Sequence, residues 1–245
     1  MTEIRMLEEL AANAHVALNV MQYDGWLLRF SEGHTGRANS VSVLYPSTID
    51  LQEKIAYCEA CYQGQNLPCL FKLTDDDPEI GRLLEQRGYR EVTPTDVMVL
   101  EIPDTGMPEG EVVFSDRPSE EWLSAFFAFE GLQDVKRQQT FRRMLAKILV
   151  RTCYAAVIRN GRIIACASSA TERGYAMIQN VVVDPEYRGR GTGKTICRAL
   201  LCRAKRDGAQ YAYLQVVKNN LPAVRLYREL GFQKKYSYRY LKQAE

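Results

Sequence analysis

The segment Val181-Val182-Val183-Asp184-Pro185-Glu186-Tyr187-Arg188-Gly189-Arg190-Gly191-Thr192-Gly193-Lys194 is the most informative in the chain. Three β-branched residues make a strand, the glycines make a turn, and apolar residues then recur at helical spacing to about Lys205. A strand that enters a helix through a glycine-rich turn is built for anions. Glycines let successive N–H groups converge, and the helix N-terminus favours negative charge. Two phosphate motifs come close without fitting. A P-loop, Gly-x-x-x-x-Gly-Lys-Ser/Thr, matches Gly193-Lys194-Thr195 but needs glycine where Arg188 stands. The dinucleotide fingerprint Gly-x-Gly-x-x-Gly, begun at Gly189 and Gly191, needs glycine where Lys194 stands.

The pattern that does fit is Arg-x-x-Gly-x-Gly, at Arg188, Gly191 and Gly193, followed downstream by Asn219-Asn220, Ala223, Leu226-Tyr227 and Leu230-Gly231-Phe232. With both motifs in this order and spacing, the chain from about Val112 to Leu241 resembles the GNAT superfamily of acetyl-CoA-dependent N-acetyltransferases. The resemblance implies acetyl-CoA as cosubstrate. Its pyrophosphate would lie on the backbone of Arg188, Gly189, Arg190, Gly191, Thr192, Gly193 and Lys194, with the cationic side chains adding charge. Solvated surface charge is the plainer reading of those side chains. Val181, Val182 and Val183 would hydrogen-bond the pantetheine arm as an added strand, an amide there would polarise the thioester carbonyl, and Asn220 belongs to the same cofactor site. Tyr227 matches the family's general acid, which protonates the departing CoA thiolate. A phenol near pKa 10 gives its proton to a thiolate whose acid lies near 8.5 only when held against it. The alternative for a tyrosine ahead of Gly231-Phe232 is packing alone.

Outward from this segment, helices and strands alternate. Strands are expected at Val112 to Phe114, Tyr154 to Arg159, Arg162 to Ala170, Tyr175 to Val183, Tyr211 to Val217 and Gln233 to Leu241, with Asn160-Gly161 as a tight hairpin turn. Helices are expected at Glu120 to Glu130, Arg137 to Leu149, Gly193 to Lys205 and Pro222 to Leu230. Upstream, the expected order is a helix from Glu3 to Leu18, strands at Trp26 to Phe30 and Val41 to Leu44, a helix after Asp50 ending at Gly64, a strand at Leu70 to Leu73, a helix at Pro78 to Gln86 and a strand at Val97 to Ile102.

The two halves can be laid over each other. A shift of 143 pairs Phe71 to Tyr89 with Leu214 to Phe232, matching Arg82 with Arg225, Leu83 with Leu226 and Gly88 with Gly231. A shift of 141 sets Asn39 and the strand after it against Asn180 and Val181 to Val183. The partner of Tyr227 is Leu84, and Tyr45-Pro46-Ser47-Thr48-Ile49-Asp50 stands where the glycine turn should be. The first half therefore reads as a degenerate module that has lost its cofactor motif and serves to pack and to shape a substrate cleft.

Composition bounds the rest. The 245 residues carry 32 Lys+Arg against 30 Asp+Glu, a balance that argues against a chain built to neutralise nucleic acid. The sum hides a polarity: Thr74 to Glu121 holds 14 acidic against 4 basic residues, and Arg188 to Glu245 holds 14 basic against 3 acidic, so the basic excess lies in the half with the anion motif. The sequence has neither a long apolar run nor a basic-then-apolar N-terminus, so a membrane span and a secretory leader are not expected and the cytoplasm is. The seven cysteines suit reduced thiols. Cys58-Glu59-Ala60-Cys61 lacks a second CxxC or CxxH and lies on a helical face, so no metal site is expected.

One position departs from the family. In GNAT enzymes that acetylate ribosomal-protein N-termini, a glutamate twelve residues before the tyrosine is the general base, and here that residue is Gln215. Gln179 and Asn180 cannot take a proton either, which leaves Glu130, Glu172 or a water chain. The expected architecture is α/β (α+β): two GNAT-like modules, each a mixed, mostly antiparallel sheet flanked by helices. Residues 1–103 form the degenerate module, 104–110 the linker and 111–245 the acetyltransferase. The expected activity is direct transfer of acetyl from acetyl-CoA, in a ternary complex, to a primary amine of a small molecule or peptide N-terminus, with no nucleic-acid or membrane partner. The alternative is a non-catalytic acyl-CoA-binding regulatory or interaction module.

Overall fold

The computed structural model describes residues 3–104 and 106–243; Thr105 of the expected linker and the outer ends of the two expected domain ranges lie outside the described residues. The chain packs as two compact units, each discontinuous in sequence. The first is Met1–Asp96 with Thr140–Lys147 and Tyr236–Glu245, and the second is Val97–Gln139 with Ile148–Lys235. They part within one strand, between Asp96 and Val97, upstream of the segment 104–110 expected as a linker.

In the second unit, β7 (Arg151–Arg159), β8 (Arg162–Glu172) and β9 (Tyr175–Val183) form an antiparallel meander, with the short strand β6 (Val112–Ser115) on its outer edge. Asn160 and Gly161 adopt φ values of 52° and 73°, the left-handed pair that a two-residue hairpin requires. From β9 the chain enters α6 (Thr192–Arg206), returns as β10 (Tyr211–Val217) parallel to β9, and continues into α7 (Leu221–Glu229). The downstream part of β5 (Tyr89–Glu101) lies beside β10. Ile164, Ile178, Ile196, Leu200, Leu214 and Phe232 form the core between the sheet and α6. The helix α4 (Glu120–Glu130) is capped by Ser119, whose hydroxyl accepts from Trp122 N at 3.1 Å, and Trp122 stacks on Phe126 within that helix.

The first unit repeats this succession. β1 (Asn19–Tyr23), β2 (Trp26–Phe30) and β3 (Val41–Val43) form the meander, α2 (Leu51–Gly64) follows, β4 (Leu70–Thr74) runs parallel to β3, and α3 (Pro78–Gln86) follows that. The strand beside β4 is supplied by the chain's far end: β11 (Gln233–Gln243) pairs antiparallel with it, from Tyr238 opposite Thr74 to Lys242 opposite Leu70. Trp26, Ile55, Tyr62, Phe71, Leu84 and Tyr89 are wholly buried in its core.

Several expected boundaries move for physical reasons. The first helix, α1 (Glu3–Ala14), stops short of Leu18, whose amide donates to Ser31 Oγ at 2.9 Å rather than continuing the helix. The buried Arg29 guanidinium donates to the carbonyls of Ala12 and His15, closing the helix end. Burial pushes that guanidinium down to about 10. The chain then forms β1, which the sequence reading missed because Asn-Val-Met-Gln-Tyr is a mostly exposed edge strand. β5 begins at Tyr89, not Val97; Pro94 hides its first half, and Thr93 next to it sits at φ 51°. The expected Arg137-to-Leu149 helix is α5 (Val135–Ala146), started by Asp134, which accepts from Lys136 N and Arg137 N. Among the described residues, no helix is long and apolar enough to cross a membrane.

Candidate active site

β9 and β10 pair only at Tyr175 with Tyr211, Ala176 with Ala212 and Met177 with Tyr213, although β9 runs on to Val183 and β10 to Val217. Past Met177 the two strands part, so backbone groups on their facing edges are not used by this ladder. A bulge lies in the same stretch of β9. Cys166 opposes Val182 and Ser168 opposes Gln179, so Asn180 and Val181 share one partner position; Asn180 takes φ 57° and donates from Nδ2 to Ser168 Oγ at 2.8 Å. Bulges re-aim backbone and side chains where they occur, often beside sites.

The turn that follows leaves donors open. Asp184 accepts from Glu186 N at 3.0 Å and fixes the 3-10 turn Pro185–Tyr187. Gly191, at φ 82°, precedes α6 and has no side chain with which to cap it. The first bond that closes the helix runs from Thr195 N to Gly191 O at 3.0 Å, so the amides of Thr192, Gly193 and Lys194 have no acceptor within the helix. At Gly193 a Cβ would lie 3.2 Å from Leu226 Cδ2 and 3.7 Å from Val183 Cγ2, and glycine lets α6 approach α7 and β9 this closely.

A cleft of about 1010 Å³ follows these features. Val181, Val182, Val183, Arg188, Gly189, Gly191, Thr192, Gly193, Lys194, Asn220 and Tyr227, all expected from the sequence, line it. Arg190 is the expected residue that does not; it is exposed, with its guanidinium 5.6 Å from the Tyr187 ring centroid. The Arg188 fork is engaged with backbone: Nε donates to Val183 O at 3.1 Å and Nη2 to Phe129 O at 3.3 Å, tying the end of β9 to the end of α4. Lys194 Nζ stands 3.9 Å from the Glu229 carboxylate. Asn220 Oδ1 caps α7 through Ala223 N at 3.3 Å. Sequence reasoning did not assign Leu221, Arg225 or Glu229 to the site, although all three line the cleft. Leu221 is an apolar residue left 70% exposed in the first turn of α7, which only the structure reveals.

Tyr227 is buried with its ring edge-on to Phe232, and it also lines the cleft, so its packing does not take it away from the cleft. Gln215 is half-buried on β10 and Gln179 is buried on β9. Of the carboxylates considered for a base, Glu130 is exposed and lines the cleft. Glu172 pairs with Tyr175 at the opposite end of β9, about 26 Å along the strand from Val183 at the usual rise per residue. None of the seven cysteines lines the cleft, and burial pushes the Cys166 and Cys197 thiols up to about 12, far from a reactive thiolate. Cys58 lies on the buried face of α2, as the helical pattern suggested, and among the described residues no three His, Cys, Asp or Glu side chains gather as a metal site. His34 packs against Phe141 in the first unit.

Known proteins are similar to this chain over part or all of its length. The family described as "Probable histone acetyltransferase Rv0428c C-terminal" matches residues 1–241. The chain is 29% identical over 240 residues to the uncharacterized N-acetyltransferase YobR of Bacillus subtilis, covering 95% of each chain. Over 74 residues it is 31% identical to the [ribosomal protein bS18]-alanine N-acetyltransferase of Escherichia coli K12, a match covering 30% of this chain and 50% of that one. A GCN5-related N-acetyltransferase from Kribbella flavida has the same fold, with a TM-score of 0.74, 16% identity, and coverage of 100% of this chain and 97% of that one. A tandem GNAT protein from the clavulanic acid biosynthesis pathway superposes with a TM-score of 0.66 at 15% identity, over 83% of this chain and 74% of the other.

Proposed function

The chain belongs to the GNAT superfamily of N-acetyltransferases, and from that premise we propose that it transfers the acetyl group of acetyl-CoA directly to a primary amine of a small molecule or a peptide N-terminus. The observation that carries the reading is the meeting, in one cleft, of Val181 to Val183 of β9, which do not pair with β10, the uncapped start of α6 and Tyr227. This combination fits CoA, which has an anionic pyrophosphate for the amides of 189–194 and an amide-bearing arm for the β9 edge. Bound acetyl-CoA would supply the acetyl group as a thioester. Lys194 adds positive charge at the turn. The bulged Val181 region offers backbone N–H groups to the thioester oxygen, where donors aimed at developing charge count most.

The roles of the remaining residues follow from proton balance. As the acceptor nitrogen forms the C–N bond and the C–S bond breaks, Tyr227 gives its proton to the leaving sulfur, and the nitrogen loses one to water or to Glu130 at the cleft wall. Gln215 cannot accept it. Deprotonating a lysine-like amine at pH 7 costs about 4.6 kcal/mol, against about 1.4 kcal/mol for an α-amine near pKa 8, so the α-amine is the easier acceptor. The name of the Escherichia coli relative, an enzyme for the alanine of bS18, supports the same choice. The buried, unactivated thiols support direct transfer over an acyl-cysteine intermediate. Initial-rate kinetics with acetyl-CoA and α-amino peptides should give intersecting lines, as a ternary complex requires; parallel lines would count against direct transfer. Saturable acetyl-CoA binding without turnover on a broad amine panel would instead favour a binding-only module, a reading that Tyr227 in the cleft weighs against.

A further inference from the structure

In the first unit, the loop between β3 and α2 holds the place that the glycine turn holds in the second, and its donors already have a partner. Asp24, at the β1–β2 turn, accepts from Thr48 N at 2.8 Å and Ile49 N at 3.1 Å, and Thr48 Oγ1 donates to it at 2.7 Å. Lys54, whose side chain is wholly buried, donates to Asp24 Oδ2 at 2.9 Å and to Ser47 Oγ at 2.8 Å, with its ammonium 4.0 Å from the Trp26 ring centroid. The next two helix amides, Gln52 N and Glu53 N, are taken by the cap residue Asp50 at 2.9 and 3.1 Å. In the second unit the corresponding helix start has no side-chain cap, and the fourth residue of that helix, the place of Lys54 in α2, is Thr195.

Two loop amides, a hydroxyl and a buried ammonium converging on one carboxylate are the donor set of an oxyanion site. We propose that Asp24 is an internal ligand: its carboxylate fills an oxyanion site made by Thr48, Ile49 and Lys54 and thereby closes the first unit to phosphate-bearing cofactors, leaving one CoA site per chain. The space left in this unit agrees. A cavity of about 420 Å³ bounded by Ser47 and Ile49 carries Glu8, Asp76, Asp77 and Glu79 against a single cation, Arg5, a lining that disfavours phosphate. Hydrogen bonding to Thr48, Lys54 and Ile49 holds the Asp24 carboxyl far below the usual carboxylate range, as for a bound anion.

The test removes the ligand and leaves the site. Asp24 sits at φ 43°, so Asp24→Gly deletes the carboxylate without straining the backbone. In chloride the variant should melt several degrees below the parent chain, because the buried Lys54, though still bound to Ser47 Oγ and the carbonyl of residue 24, is left without a counter-charge. Exchanging chloride for about 50 mM sulfate or phosphate at equal ionic strength should recover about half of that loss or more, over and above the gain seen in the parent chain, whose uncapped α6 start also takes anions. The double variant Asp24→Gly/Lys54→Met should lose this response. An equal anion response in parent, single and double variants, or none in the single variant, would overturn the proposal. If Asp24→Gly does not fold in chloride, folding in sulfate supports it and failure in both salts refutes it. Calorimetry of the parent chain with CoA should give one site. Two sites would refute the closure, whereas none would count against the acetyltransferase reading and leave the anion experiment to decide.

Discussion

At single residues, the proposed chemistry turns on Tyr227 and Gln215. Tyr227→Phe keeps the ring against Phe232 and removes the hydroxyl that would give the proton. kcat should therefore fall by about 10²- to 10⁴-fold, the usual worth of a positioned acid, while CoA affinity measured by calorimetry stays within about two-fold. A kcat that survives the change would remove Tyr227 from the acid role. Gln215 makes a second prediction. With no carboxylate there, the amine must arrive neutral, so kcat/KM for an α-amino peptide should climb about ten-fold per pH unit and level off near the acceptor's own pKa, about 8. Gln215→Glu should flatten that limb and favour ε-amines more than α-amines. A preference of the parent chain for ε-amines or polyamines would defeat the argument. Both positions were legible in the sequence because their spacing matches the motif of the family that the chain resembles. The binding of Arg188 to Val183 and Phe129 carbonyls was not, since a guanidinium reads as charge until the chain brings two carbonyls to it.

At the scale of elements, the site depends on how closely α6 approaches α7 and β9. Gly193→Ala places a methyl 3.2 Å from Leu226 Cδ2, so Leu226 or the helix must give way. Overpacking of this kind costs about 1 to 3 kcal/mol, and since Gly193 also supplies an uncapped amide, CoA affinity should fall together with thermal stability. An alanine variant with unchanged melting and unchanged CoA binding would show that the close approach is not needed. Element types followed the apolar pattern well, both in α7, which buries one face, and in β9 and β10, whose apolar runs are buried on both faces. They failed at β1, whose exposed residues leave no alternation to read, and at the first half of β5, where Pro94 looked like an end and Thr93 accommodates it instead. The parting of β9 from β10, on which the cleft rests, leaves no mark in either strand's composition, because it is a property of the pair.

For the whole molecule, the repeat was visible in the sequence but the way the chain closes it was not. A linear reading gives the first module residues 1–103, yet the first unit also takes Thr140–Lys147 and Tyr236–Glu245. The borrowed strand does more than complete a sheet. Tyr236 Oη donates to the buried Glu8 carboxylate at 2.6 Å, the same carboxylate pairs with the buried Lys72, and Tyr238 presents its ring 4.1 Å from the Lys72 ammonium. Ser237 Oγ donates to Asp96 at 2.8 Å. Without β11, a buried ion pair loses a hydrogen bond and its aromatic cover, and β4 loses its antiparallel neighbour. Exposing such a pair and a core strand costs several kcal/mol, comparable with the roughly 5 to 15 kcal/mol that holds an ordinary domain folded. Truncation after Lys235 should therefore release α1, β3 and β4 to fast amide exchange while the β7–β8 hairpin keeps its protection. A fragment of residues 1–103 should not melt cooperatively on its own. A sharp calorimetric transition from that fragment would mean that the linear module is self-sufficient and that the C-terminal strand only decorates its edge.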